Sequence, residues 1–398
     1  MNFKRNNTAA LLYLLTFLLI VITLSCTNFS SQFERIENNR IRLIDFIYEP
    51  PEAAPGDTVL LKALFAGKEV SAEDISWKFS TKVDMNTYGV DTAWDEKPLD
   101  YTIVPYSFSD STSCIVLRFV VPPDCISESP MITDNWQSNL PKEILENIPE
   151  TWSSLSKKEL LTMLDSLSTV IMQGDSSEKA AYAVLVQSLL PDGSLPLLMQ
   201  LLTVKMRIYA DVKNSHRIRS DYTVNYNSRF SSLPGIPHFD NHNPVIDSIG
   251  LYCVKGSSVL KLDRDNDSTT YTTLWKPGDS TVVINTKKGH TYFLEAFVSN
   301  RDSVITLTAL EQNGSTMLEE VTADWMFQLD DHETENANNN DLMNISPIND
   351  LTAVLYLPRK KEISHFTIWV QVTDSKINVM NRSQGSSVVE VNGRFTYP

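Results

Sequence analysis

PGDTVLLKALFAG (Pro55–Gly67) and KGHTYFLEAFVSN (Lys288–Asn300) share one pattern: Gly, Thr two residues on, then Leu, a charged residue and Ala. Gly56, Thr58, Leu61, Lys62 and Ala63 correspond to Gly289, Thr291, Leu294, Glu295 and Ala296. Gly accepts the positive φ of a tight turn, and the alternation behind it is that of a half-buried strand. The charged residue is predicted to face outward. The small Ala is predicted to sit where two sheets approach.

The elements around this motif repeat in the same order. RIRLIDFIY (Arg40–Tyr48) and NPVIDSIGLY (Asn243–Tyr252) precede it, each containing Ile-Asp-x-Ile. ISWKFS and ADWMFQ follow it, bringing Trp77 with Phe79 and Trp325 with Phe327. TVKMRIYAD (Thr203–Asp211) and TIWVQVTD (Thr367–Asp374) come last, each leading through a polar turn into a further alternating run. Many short strands with frequent turns predict a mainly β chain with two copies of one sandwich. Both Trp residues are expected in the cores.

This order resembles the immunoglobulin-like family of bacterial surface proteins over about residues 40–125, 201–230 and 243–397. The resemblance implies two immunoglobulin-like β-sandwiches and a role in adhesion, spacing, or protein or glycan binding. The Cys…Trp…Cys pattern of antibody domains is missing.

Pro141–Gln200 breaks the strand pattern and reads as an α-helical insertion in the first sandwich. Ser156 and Glu159 form a capping box ahead of Leu160, Leu164, Leu167 and Ile171, one helical face. Gly174 is a stop signal. A second helix is expected over Ser177–Leu190 and a third over Leu195–Leu202. The apolar stripe packs on its own sandwich or faces a partner protein.

The N-terminus reads as an address. Lys4 and Arg5 precede an apolar run from Ala9 to Leu24, short for a membrane-spanning helix and right for a signal sequence. It ends in Thr23-Leu24-Ser25-Cys26, which resembles a relaxed lipobox of bacterial lipoproteins. Ser25 and Cys26 fit; Thr23 and Leu24 depart from the strict pattern. The resemblance implies acylation of Cys26 and, with no Asp after it, an outer-membrane address in a Gram-negative cell envelope. The expected plan is a signal peptide at 1–25, a polar tether at 26–39, the first sandwich at 40–233 with its insertion at about 141–200, a linker at 234–242 and the second sandwich at 243–398.

Net charge is -15, and Arg359-Lys360-Lys361 is the one dense basic run. That balance argues against a nucleic-acid partner. Of the other cysteines, Cys114 and Cys125 are close enough in sequence for a disulfide in an oxidising compartment. Cys253 would then be single.

No catalytic motif is present, and a non-enzymatic structural, adhesion or protein-recognition role at the envelope is expected. A carbohydrate-binding role, or service as an accessory domain of an envelope enzyme, is the alternative. Its aromatic contacts would be Tyr88, Trp94 and Tyr101. No cofactor is expected. Calcium remains open at Asp263, Asp265 and Asp267, and at the acidic run Asp330, Asp331, Glu333, Glu335 and Asp341. His238, Asp240 and His242 sit in the linker, where metal binding is the minor reading.

Overall fold

A computed structural model describes residues 35–398 except 85–91, 129–134, 138–153, 190–202, 230–240, 256–272, 300–302, 306–315, 330–341, 360–362, 375–384 and a few single or paired positions. The fold is mainly β, built as two sandwiches.

In the first sandwich one sheet runs β2 (Ile41–Glu49), β4 (Thr58–Gly67), β10 (Ser113–Val120), β9 (Tyr101–Val104). The facing sheet runs β3 (Glu52–Ala53), β12 (Arg217–Val224), β11 (Val204–Val212), β5 (Ile75–Ser80), β8 (Lys97–Pro98). A small hairpin joins β6 (Lys82–Asp84) to β7 (Thr92–Trp94). This is the immunoglobulin strand order, with a short first-edge strand parallel to the last strand.

The second sandwich repeats it. One sheet runs β14 (Thr273–Trp275), β13 (Val245–Lys255), β16 (His290–Ser299), β21 (Thr352–Tyr356), β20 (Asn344–Asn349). The other runs β1 (Arg35–Ile36), β19 (Val321–Leu329), β22 (His365–Asp374), β23 (Ser386–Thr396), β15 (Val282–Asn285). A hairpin of β17 (Ser303–Ile305) and β18 (Thr316–Leu318) lies outside both sheets.

The repeated motif forms β4 and β16 as expected. Gly56 and Gly289 turn the chain at φ +81° and +73°. Ala63 and Ala296 are buried in separate cores, with Trp77 in the first and Trp325 in the second.

One boundary moves. The segment expected to be tether to residue 39 already contains β1, which pairs in parallel with β19 of the second sandwich. In the first sandwich β8 covers the outer edge of β5; in the second, a piece of chain from before the first sandwich covers the equivalent edge of β19. Asn38 adds to the join, donating to the Leu329 carbonyl at 3.1 Å and accepting from the Gln328 amide.

Among the described residues, three helices lie between β10 and β11: α1 (Cys125–Glu128), α2 (Lys157–Gln173) and α3 (Ser176–Leu189). The Ser156–Glu159 capping box is present. Gly174 closes α2 at φ -67°, so its value here is room: a Cβ would meet the Val170 carbonyl at 2.6 Å. Leu160, Leu164 and Ile171 join the first core, which decides where the stripe packs. Arg229 ties the helix down, donating to Ser168 Oγ at 2.8 Å and to Asp57. The third helix expected at Leu195–Leu202 lies outside the described residues.

Candidate functional site

The two sandwiches meet along a seam. A β-bulge at Ile44 shifts the register of β2 against β4 between Leu43 and Asp45. A bulge re-aims the side chains beside it. Phe46 and Tyr48 enter the first core, while Ile44 and Ile47 turn to the opposite face with Leu64 and Ala66. There they meet Ile36, Met326, Trp369 and Val388 in a separate apolar cluster. Strand β2 is therefore apolar on both faces, as strands covered on both sides must be.

A polar network seals this cluster. Glu390 lies opposite Trp369 on adjacent strands. Its Oε2 accepts from Ser109 Oγ at 2.5 Å, from Thr112 Oγ1 and from Trp369 Nε1 at 3.1 Å. Its Oε1 accepts from Asn392 at 2.7 Å. The carboxylate thus joins a loop of the first sandwich to the second, and its lone pairs are well used. At the other end Asn243 acts as a clamp. Its Nδ2 donates to the Tyr48 carbonyl at 2.8 Å, and its Oδ1 accepts from the Ser386 N–H at 2.9 Å. The first residue after the expected linker is therefore fastened to both sandwiches.

Asp45 is the exception in the seam. Burial pushes its carboxyl up to about 6. Ser386, the Phe46 N–H and Gln371 oppose that shift, and Asp324 reinforces it. Its Oδ2 has no hydrogen-bond partner among the described residues.

Beside the seam opens a cleft of about 640 Å³. Pro50, Pro51, Tyr106, Phe108, Val245 and Val389 give it apolar walls. Glu49 and Lys62 form an exposed pair at its mouth, 2.8 Å apart. Lys62 also lies 5.9 Å from the centre of the Tyr106 ring. Ser387 Oγ, on the wall, has no hydrogen-bond partner among the described residues. Such a surface suits recognition of an apolar segment with a polar end.

The residues singled out in the sequence fall in several places. Cys26 lies outside the described residues, as do Tyr88, Asp263, Asp265, Asp267, the run from Asp330 to Asp341, His238 and Asp240. Trp94 is 44% exposed at the end of β7. Tyr101 instead packs against the first core, so these two rings do not form one exposed platform. No group of metal-ligating side chains occurs among the described residues.

The disulfide left open between Cys114 and Cys125 is corrected: both are free thiols. Cys114 starts β10 on the seam side, whereas Cys125 lies beyond the end of that strand in the first core. An extended strand advances about 3.3 Å per residue, so the six steps from Cys114 to Val120 at the end of β10 cover about 20 Å, far beyond the ~7 Å limit between bridged Cα atoms.

Sequence reasoning missed the seam and a second cleft, of about 800 Å³, lined by cations. A signal for each was present. The run Leu43–Tyr48 is nearly all apolar, which marks a strand covered twice. Arg-Ile-Arg occurs at 40–42 and again at 217–219, placing paired cations at the starts of two strands, with Arg40 just before β2 and Arg42, Arg217 and Arg219 on exposed strand positions.

No protein-family model matches the chain, and no curated protein matches it.

Proposed function

We propose that the chain is a membrane-anchored cell-envelope lipoprotein, held by an acylated Cys26 at the outer membrane of a Gram-negative bacterium. Its two sandwiches act as one rigid body that positions or recognises another envelope component. No catalytic step belongs to this reading.

The observation that supports it most is the seam. Independent domains joined by a linker retain relative motion. Here an apolar cluster, the Glu390 network, the Asn243 clamp and β1 all oppose such motion. Fixing two binding-type sandwiches relative to their anchor is useful for holding or spacing, and the cleft at the seam supplies a fixed surface for recognition. Changing Cys26→Ser and fractionating cells with a high-salt wash, which strips charge-held contacts, tests the anchor: release into the soluble fraction is expected, and full retention in membranes after the wash overturns it.

Trp94 favours one second reading, glycan contact through a single exposed ring. Loss of binding to envelope glycans in Trp94→Ala supports that reading, and unchanged binding removes it.

A further inference from the structure

The second cleft gathers charge that the linear sequence disperses. Arg35, Arg40 and Arg42 reach it from the N-terminal segment, and Lys68 from the end of β4. Lys213 reaches it from the turn between β11 and β12, and Arg217 and Arg219 from the start of β12. Glu37 is the one carboxylate in the lining.

Some of these cations are already engaged. Arg40 pairs with Glu37 at 3.0 Å. Arg217 is held by Asp211 at 2.5 Å and by Glu96 at 2.6 Å. Arg35, Lys68, Lys213 and Arg219 pair with no carboxylate among the described residues. The nearby Asp74 feels Lys213 and Lys68, but Ser71 donates to its carboxylate. The buried Nε of Arg35 has no hydrogen-bond partner among the described residues. Lys68, Lys213 and Arg219 are exposed.

This concentration stands against a chain of net charge -15. Most of the surface is therefore repelled by an anionic layer, and this cleft is the face that such a layer attracts. Its position matters as much as its sign. Arg35 follows Cys26 by nine residues, a reach of at most about 30 Å. An anchor at Cys26 delivers the membrane to this end of the protein.

We propose that the cleft docks the protein on the phosphate-bearing headgroups of an anionic membrane surface, orienting the rigid pair of sandwiches against it. Placing the membrane here rests on the lipoprotein reading; the charge of the cleft does not. Cationic side chains near an anionic leaflet bind additively and within a Debye length, so the contact is salt-sensitive.

The test uses the unacylated chain from Thr27 onward, which keeps every described element. It is cosedimented with phosphatidylcholine vesicles, with and without phosphatidylglycerol. Binding only to the phosphatidylglycerol vesicles, lost in high salt, is expected. Lys68→Glu with Lys213→Glu, and separately Arg219→Glu, should each weaken it by about tenfold or more, with unchanged circular dichroism. Lys158→Glu, on the exposed side of α2, should leave it unchanged. Equal binding to both vesicle types, or binding that ignores the cleft variants, overturns the proposal. So does competition-sensitive binding of inorganic phosphate with no vesicle binding, which would make this a soluble-anion site. Acyl labelling of Cys26 in cells is scored separately. A wild-type chain that takes no label sinks the lipoprotein reading while the vesicle result stands.

Discussion

Trp369 and Thr112 belong to different sandwiches, yet the indole N–H of one donates to the hydroxyl of the other at 2.8 Å. Trp369 is fully buried at that point. Its removal opens the middle of the seam. Trp369→Ala should cost about 3–5 kcal/mol. Trp369→Phe, which keeps a ring but withdraws the donor from Thr112 and Glu390, should cost about 1–2 kcal/mol. Urea denaturation followed by tryptophan fluorescence and circular dichroism measures both. Trp369→Ala should also separate one cooperative transition into two, and a single unchanged transition would contradict the joined-body reading.

Asp45 gives the seam a pH dependence of defined sign. Its carboxyl holds a proton up to about pH 6 in the folded chain and only to its ordinary 3.8 when exposed. The folded state therefore binds the extra proton between these values, and stability falls as pH rises from 3.8 to about 6. Above that window the loss is complete. Asp45→Asn should be more stable than wild type at pH 7.5 by up to about 3 kcal/mol. The gain should vanish below pH 4, where the two side chains carry the same charge. Parallel denaturation curves across pH check this, and a gain that does not change with pH would assign the effect to packing.

The thiols should be inert. Burial pushes Cys114 up to about 11, with Lys62 opposing only in part, so the reactive thiolate is scarce at pH 8. Cys125 is fully buried. Intact mass under non-reducing conditions should fit free thiols at Cys114, Cys125 and Cys253. Iodoacetamide should modify Cys114 and Cys125 readily only after denaturation. A mass short by two hydrogens would restore the bridge.

Glycines at strand ends should differ in sensitivity by their surroundings. Gly56 and Gly67 have φ of +81° and +83°, but a Cβ at Gly56 enters open space. At Gly67 it would meet the Arg40 carbonyl oxygen at 2.1 Å. Gly56→Ala should cost about 1–2 kcal/mol for conformation alone. Gly67→Ala should cost clearly more, because backbone must move, and it should also loosen the loop bearing Arg40. Thermal melts of the two variants rank them, and equal melting temperatures would refute the difference.

What the sequence disclosed follows a physical line. Period-two alternation, turn glycines and capping residues act within a few positions of themselves, so β4, β16 and the start of α2 were legible. Ala63 and Ala296 were placed by the repeat alone. The seam was not, because its members look ordinary one by one. Asp45, Thr112 and Glu390 carry no motif or spacing that sets them apart from other polar residues, and only folding brings them to the same seam. The basic cleft was hidden for the same reason: Arg42, Lys68 and Arg219 are far apart in the chain. Cys26 stands apart from both, since its chemistry was legible as a resemblance and its surroundings lie outside the described residues.

Strand β1 carries a consequence for assembly order. Ribosomes make the chain from its N-terminus, and Asn38 waits 291 residues for its partner Leu329. The first sandwich can close before that, but its leading segment has nothing to pair with until β19 arrives. A contact this distant forms late. Strand β1 is thus a latch that engages after most of the rest has been built, and a chain truncated before β19 would retain a folded first half with its latch still open.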